Sequence, residues 1–324
     1  MGLKVSHVSV LTPSWNRGHL LERVWQGLDT QTYRDFEWVV ANDGSDDDTD
    51  EVVKELAERS DFPVVLINAS CRVGKARMDN ELIKAARGDF MIWCDSDDQL
   101  MPEALETLID TWESIPLEKR DAFCGVSALN RTPDGILGNR FYETDKPFDI
   151  EWNEMYSRLQ SDLTIFTRAE LLKAQRFLEV DFMIPESTVW SKIGILKTRF
   201  IPSPLRWVHY RSPNALSSSG DMSHNRAHAY AAAITRDIKE RGLGRPAKFY
   251  RAVTFLRYAR HGEISFRKAR RMWGNGATDL FGLIAASPIA EILASRDRLM
   301  GKVRKTHRDF ERANKVVEIR SRRL

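Results

Sequence analysis

Phe90-Met91-Ile92-Trp93-Cys94-Asp95-Ser96-Asp97-Asp98 is an apolar run that ends in three acids within four positions. Bounded in front by Gly88-Asp89, it reads as a strand buried on both faces, of the kind found in a parallel sheet. Three carboxylates so close together repel one another, and burying them unpaired is costly. A hard divalent cation, Mg²⁺ or Mn²⁺, relieves both problems, because each takes oxygen ligands and keeps positions open for phosphate. The plainer reading is a solvated acidic loop that caps the next helix. Position favours the cation, since ligands of open α/β sheets bind outside the carboxyl ends of the strands.

Working outward, strand and helix patterns alternate. Val8 to Leu11 reads as a strand, and apolar positions Leu20, Leu21, Val24 and Leu28 mark a helix behind it. Phe36 to Ala41 and Val64 to Ile67 are further strands, while Asp50 to Arg59 and Met78 to Ala86 are helices. With the strand before Asp95 these make four β-α repeats. Right-handed crossovers gather them into a mostly parallel sheet with helices on both faces. Pro102 to Ser114 is a helix with proline near its first turn, and Ala122 to Leu129 and Leu163 to Thr167 are positioned to extend the sheet. From Asn130 to Ser161 the rhythm breaks, and this aromatic-rich stretch, with Phe141-Tyr142 and Trp152, reads as a long loop on an acceptor side.

At 324 residues and 42% hydrophobic content, the chain is neither disordered nor fibrous by composition. Three cysteines are too few for a disulfide framework and lack metal-ligand spacing, so a reducing cytoplasm is the expected setting. No N-terminal stretch has the form of a secretion signal. No run reaches the length of a membrane span: the longest, Phe281 to Leu293, is interrupted by Ser287-Pro288 and Glu291 and is not expected to cross. The net charge of +3 hides a division, because residues 221–324 hold 24 Lys and Arg against 10 Asp and Glu. The expected organisation is a catalytic domain over 1–220, with a nucleotide half to about 115 and an acceptor half from 116, then a helical, basic region over 221–324.

Four motifs carry a resemblance. Thr12-Pro13-Ser14-Trp15-Asn16-Arg17, Gln31-Thr32-Tyr33, Phe36 to Thr49 with Asn42-Asp43-Gly44-Ser45 at its centre, and Asn80 to Gly88 followed by Trp93 to Asp98 stand in the order seen in family 2 glycosyltransferases of the GT-A (Rossmann-like) fold. The resemblance is specific to about residue 115, looser from 160 to 217, and absent from the basic tail. It implies a nucleotide-sugar donor, UDP-linked in the expected form, bound with a divalent metal, Mn²⁺ or Mg²⁺, at the ends of the first strands. It also implies inverting transfer to a hydroxyl of a glycan or lipid-linked glycan, as in cell-surface polysaccharide biosynthesis.

The resemblance assigns the nucleotide to Thr12, Pro13, Trp15, Arg17, Asp43, Asp95 and Ser96. An indole face at Trp15 suits stacking on a base, and a carboxylate at Asp43 suits the imide N–H of uracil; a packing tryptophan and a turn aspartate are the alternatives. Asp97 and Asp95 are the expected metal ligands, with His209 as a third or as a core residue, and Asp98 binds metal or orients the acceptor. Arg72, Gly74, Lys75 and Arg77 lie before a helix, where Lys75 and Arg77 suit phosphate, or simply make a solvated basic loop. The family often has Arg where Asp79 stands. Phe182 to Ile193 resembles the acidic motif that opens a catalytic helix, which makes Glu186 the base for the acceptor hydroxyl and places Trp190 beside the acceptor. Arg211 is a candidate partner of the leaving diphosphate.

The tail reads as helices at Ala227 to Ile234, Ala247 to Tyr258 and Phe266 to Trp273, with clusters Arg267-Lys268-Ala269-Arg270-Arg271 and Lys302-Val303-Arg304-Lys305. An anionic membrane surface on the cytoplasmic side suits such clusters when aromatics are interleaved. Nucleic acid is not expected, since no binding motif for it appears. Two other functions fit an α/β sheet with metal carboxylates: a nucleotidyltransferase that makes the sugar nucleotide, which would carry a Gly-rich basic loop after its first strand where Thr12-Pro13-Ser14-Trp15 stands, and a non-catalytic nucleotide-binding module.

Overall fold

The structure is a computed structural model, and it describes residues 7–177, 179, 186–209, 227, 230, 231, 234, 235, 245–274, 276–301 and 318–324. Arg211, the cluster Lys302 to Lys305 and the segment 182–185 before Glu186 lie outside the described residues.

The first half alternates as its apolar periods require: β1 (Val8–Ser14), α1 (Gly18–Asp29), β2 (Phe36–Asn42), α2 (Thr49–Arg59), β3 (Val64–Ala69), α3 (Lys75–Ala85) and β4 (Phe90–Trp93). These strands are parallel in the order β3-β2-β1-β4, with Val8 opposite both Phe36 and Phe90. All seven residues of β2 are buried, as expected for a central strand covered on both faces. Helices α1 and α2 supply Leu21, Val24, Leu28, Val53 and Leu56 to the core around Trp38 and Phe36. The one acid within β2, Glu37, is fully buried and accepts hydrogen bonds from Ser9 Oγ and the Arg87 N–H, both at 2.7 Å.

Beyond β4 come β5 (Gln99–Leu100), α4 (Ala104–Glu113), β6 (Phe123–Thr132), β7 (Gly135–Ile136), β8 (Phe148–Glu151), α5 (Trp152–Leu159), β9 (Thr164–Arg168), α6 (Ala169–Lys173), α7 (Ser187–Ile193) and β10 (Lys197–Trp207). Strand β9 joins β4 antiparallel, β6 joins β9 antiparallel, and β10 lies parallel to β6. The stretch from Asn130 to Ser161 is therefore not one long loop. It holds β7, β8 and α5, short pieces whose aromatics Phe141, Tyr142 and Phe148 pack on Phe200 of β10.

Two expectations for the tail fail. Its last residues are not helical: β11 (Ile319–Arg323) pairs antiparallel with β3 at the sheet edge, bracketed by Ser70 N–H to Glu318 O at 3.0 Å and Leu324 N–H to Val64 O at 2.9 Å. The run through Ser287-Pro288 is not interrupted either. Ala277–Leu299 forms one helix of 23 residues, by length and composition apolar enough to cross a membrane.

The chain divides into two compact units, one of residues 1–177, 193–213 and 314–324 and one of residues 178–192 and 214–313. This differs from a break at 220, because the segment with Glu186 groups with the helices and β11 returns to the sheet. The second unit has its own core, in which Phe255, Leu256 and Ala259 of the helix Arg245–His261 pack with Trp273 of the helix Phe266–Trp273 and with Leu283, Ala286 and Ala290 of Ala277–Leu299.

Candidate active site

The parallel registers bring Ser14, Asn42 and the residues after Trp93 to one edge of the sheet. Strand β4 closes on the turn Asp95-Ser96-Asp97-Asp98, with the Asp98 N–H donating to Asp95 O at 2.9 Å. Ser96, Asp97 and Asp98 are buried, and Asp95 is half-buried.

Cations meet this turn from two sides. Arg17, where β1 passes into α1, places Nη1 3.2 Å from Asp97 Oδ2 and donates to Ser96 Oγ at 3.2 Å. Arg23 donates to the Asp97 carbonyl at 3.2 Å. Arg206 of β10 stands 3.5 Å from Asp98 Oδ2, and its other bonds go to Trp93 O at 2.8 Å and Leu163 O at 3.0 Å. Burial pushes the Asp98 carboxyl well above the usual range; Arg206 opposes that shift, and Asp95 and Asp97 add to it. Burial and the nearby Arg23 lower the pKa of His209, which favours its neutral imidazole.

Asp97 and Asp95 supply oxygen donors suited to Mg²⁺ or Mn²⁺. Among the described residues, however, no three His, Cys, Asp or Glu side chains gather to hold a metal. The expected set of Asp95, Asp97 and His209 is thus not assembled, and Asp97 instead faces the Arg17 guanidinium. The donors present fit an ion of the kind held by one or two carboxylates and completed by substrate phosphates and water.

At the end of β2, Asp43 is buried and already engaged. Its Oδ1 accepts the Val73 N–H at 2.6 Å, and its Oδ2 accepts the Gly74 N–H at 2.9 Å. Burial pushes its pKa up to about 6 despite these bonds. Gly44 follows at φ +61°, and a Cβ there would lie 2.3 Å from the carbonyl carbon of Cys71, so the turn requires glycine. Arg72 from the same β3–α3 loop rests on the indole of Trp15, its Cζ 3.3 Å from the ring centroid. One face of the Trp15 indole is therefore already covered by a guanidinium.

Thr12 and Lys75, two of the expected site residues, are engaged by other groups of the protein. The Thr12 side chain is fully buried, donating to Cys94 O at 2.7 Å and accepting from Trp38 Nε1 at 3.0 Å, so its hydroxyl is committed to fixing the strand ends. Pro13 beside it is half-buried. Lys75 is not a free phosphate ligand: its Nζ lies 2.9 Å from Asp79, a buried acid on α3 that calls for a cation. Arg77 stands near enough to favour the Asp43 carboxylate electrostatically. Trp190 is buried in α7, and Glu186, an exposed residue, precedes that helix with a carbonyl that accepts the Val189 N–H at 2.9 Å. The residue that sequence reasoning missed is Arg206. A single cation inside the apolar strand Pro204-Leu205-Arg206-Trp207-Val208 was the available signal, because a buried charge requires a partner.

A parallel sheet whose first four strands run in the order β3-β2-β1-β4, with acids and guanidinium groups at their carboxyl ends, has the architecture of nucleotide-binding α/β domains. Residues 9–185 match the model of glycosyl transferase family 2, and the chain belongs to that family. The GalNAc(5)-diNAcBac-PP-undecaprenol beta-1,3-glucosyltransferase of Campylobacter jejuni is 34% identical over 202 residues, which are 61% of this chain and 63% of that protein. The chain therefore spans less than two thirds of that relative's length. Staphylococcus aureus TarS (residues 1–349), solved with UDP-GlcNAc, superposes with a TM-score of 0.57 over 92% of this chain and 84% of its own at 18% identity. The mannosyltransferase PcManGT of Pyrobaculum calidifontis, solved with GDP-Man and Mn²⁺, gives 0.51 over 91% and 80% at 20% identity. These neighbours share the GT-A fold.

Proposed function

We propose that this chain is a metal-dependent, inverting glycosyltransferase that moves a sugar from a nucleotide donor to a hydroxyl of a glycan acceptor in cell-surface polysaccharide biosynthesis. One observation carries the reading: the acidic turn Asp95 to Asp98 stands at the carboxyl end of β4 between Arg17 and Arg206, in a chain of this family. UDP is the donor nucleotide we favour, a choice supported by the UDP-GlcNAc in the TarS structure, and a lipid-linked acceptor is supported by the name of the Campylobacter relative. The basic second unit then faces the anionic cytoplasmic surface of a membrane, where such an acceptor would be held.

In this mechanism the base of the donor lies by Trp15 and Asp43, and the diphosphate lies by Asp95, Ser96 and Asp97. Asp97 and Asp95 would hold the Mg²⁺ or Mn²⁺, which when bound neutralises charge on the leaving diphosphate. Arg17 shares that task, reaching the diphosphate from its place on Asp97 and Ser96. Glu186, an exposed residue just ahead of α7, takes the proton of the acceptor hydroxyl as that oxygen attacks the anomeric carbon and the nucleoside diphosphate departs.

A panel of nucleotide sugars, each with Mn²⁺ or with EDTA, tests the reading through release of the free nucleotide. Turnover with one UDP-sugar, dependent on the metal, is expected. Glu186→Gln should lower kcat about 10²–10⁴-fold with little change in donor KM. No turnover and no thermal stabilisation by any nucleotide overturns it.

A further inference from the structure

The helix Ala277–Leu299 has one committed face and one open face. Leu283, Ala286, Ala290 and Ala294 are fully buried. On the same side Asp297 accepts from Arg257 at 2.6 Å and meets His261 Nε2 at 2.9 Å, while the half-exposed Glu291, at the border with the open face, pairs with Arg260. The opposite face is apolar and solvent-facing. Phe281 is 75% exposed, Ile292 69% and Leu299 89%, and Ile284, Pro288 and Ile289 lie between them at helical spacing. A recess of about 510 Å³, lined by Ile284, Pro288 and Phe266 together with Ser287 and the Arg260–Glu291 pair, joins this surface to the next helix.

That helix, Phe266–Trp273, buries Ala269 and Trp273 and exposes Arg267, Lys268, Arg270 and Arg271. An open apolar stripe next to a cationic helix is complementary to one kind of surface, an anionic bilayer whose headgroups meet the cations while its acyl boundary takes the stripe. We propose that the face formed by Phe281, Ile284, Pro288, Ile292 and Leu299, together with the cations after Phe266, is a monotopic docking surface for anionic lipid. The inference deepens the membrane attachment in the proposed function by naming the face that makes it.

The helix lies on the membrane rather than through it. Spanning would strip Arg257, His261 and Arg260 from Asp297 and Glu291, leaving ionised groups in hydrocarbon. Pro288 lacks the N–H that would bond the Ile284 carbonyl. At the interface water satisfies that carbonyl, whereas the hydrocarbon core offers it no partner.

The test is co-sedimentation of the full chain with vesicles of phosphatidylcholine alone and of phosphatidylcholine with phosphatidylglycerol, at physiological salt. Binding to the anionic vesicles at least about tenfold stronger than to the neutral ones is expected. Phe281→Ser with Ile292→Ser should lose about tenfold or more on anionic vesicles. Replacing Arg267, Lys268, Arg270 and Arg271 by Gln should remove the preference for anionic lipid. In both variants donor hydrolysis without vesicles and the melting temperature stay at wild-type values, which separates this surface from the chemistry. Absence of wild-type binding overturns both the face and the membrane attachment. Unchanged binding by the stripe variant overturns the face alone, as does a solution dimer that the stripe variant converts to monomer without loss of vesicle binding.

Discussion

Arg206 and Asp98 form a buried pair, 3.5 Å apart with both side chains less than a tenth exposed, that ties β10 to the acidic turn after β4. The guanidinium also holds Trp93 O and Leu163 O, so one side chain fixes the end of β4 and the chain entering β9. Removing one partner of such a pair leaves the other charge uncompensated, at a cost of about 3–5 kcal/mol. Arg206→Met should therefore lower stability by that order in denaturant unfolding and abolish turnover by loosening Asp95 to Asp98. Arg206→Lys keeps the charge but lacks the planar fork that reaches two carbonyls. It should recover part of the stability and little of the activity, a separation visible by comparing melts with kcat.

Asp43 makes a prediction about pH. Burial raises its folded-state pKa to about 6 from an ordinary 3.8, so the native state binds a proton more tightly than the unfolded chain does. Its contribution to stability is complete below the unfolded pKa and is lost as pH rises through about 6. A proton held that much more tightly in the native state is worth on the order of 3 kcal/mol, and this is the stability that disappears. Urea unfolding of wild type and Asp43→Asn between pH 4 and 8 checks this: the wild type should lose ground to the variant across that interval. Equal slopes would mean that Asp43 is ionised at its ordinary pKa. If Asp43 receives the imide N–H of a uracil as an ionised acceptor, UDP affinity should strengthen over the same interval.

How much of this was legible in the sequence depends on whether a feature is local. Strands β1 to β4 stand out because continuous apolar runs end at Gly, Asp or Asn, and the acidic turn is adjacent in the chain to the strand that presents it. The pairing of Lys75 with Asp79 was also within reach, being one helical turn apart, and it explains why α3 tolerates an acid inside the fold. Arg206 and Arg72 were not assigned, because their partners Asp98 and Trp15 come from distant segments that only the sheet brings together. Pro288 misled for a different reason. It sits on the open face of its helix, where the cost of a missing N–H is offset by packing on the other side, and Arg260 donates to the Ser287 carbonyl at 3.0 Å beside it.

Strand β11 was illegible because Ile-Arg-Ser-Arg-Arg has no apolar face, and its role is set by where it pairs. Strand β3 would otherwise present a row of unpaired N–H and C=O groups at the edge of a long sheet, a template for pairing with another chain. The segment from Ile319 covers that edge and becomes the new one, carrying Arg320, Arg322 and Arg323, and charged side chains on an edge strand discourage further pairing. Arg323 also lies 3.9 Å from the buried Glu37, and Arg322 is close enough to help keep Asp50 ionised. Deleting residues 319–324 should lower stability by about 1 kcal/mol for each ladder hydrogen bond lost, and should promote self-association at micromolar concentration. Replacing Arg320, Arg322 and Arg323 by Thr keeps the ladder but removes the charge, so it should cost less stability than the deletion and still raise association in light scattering. If neither variant associates more than wild type, the edge is protected by something other than this strand.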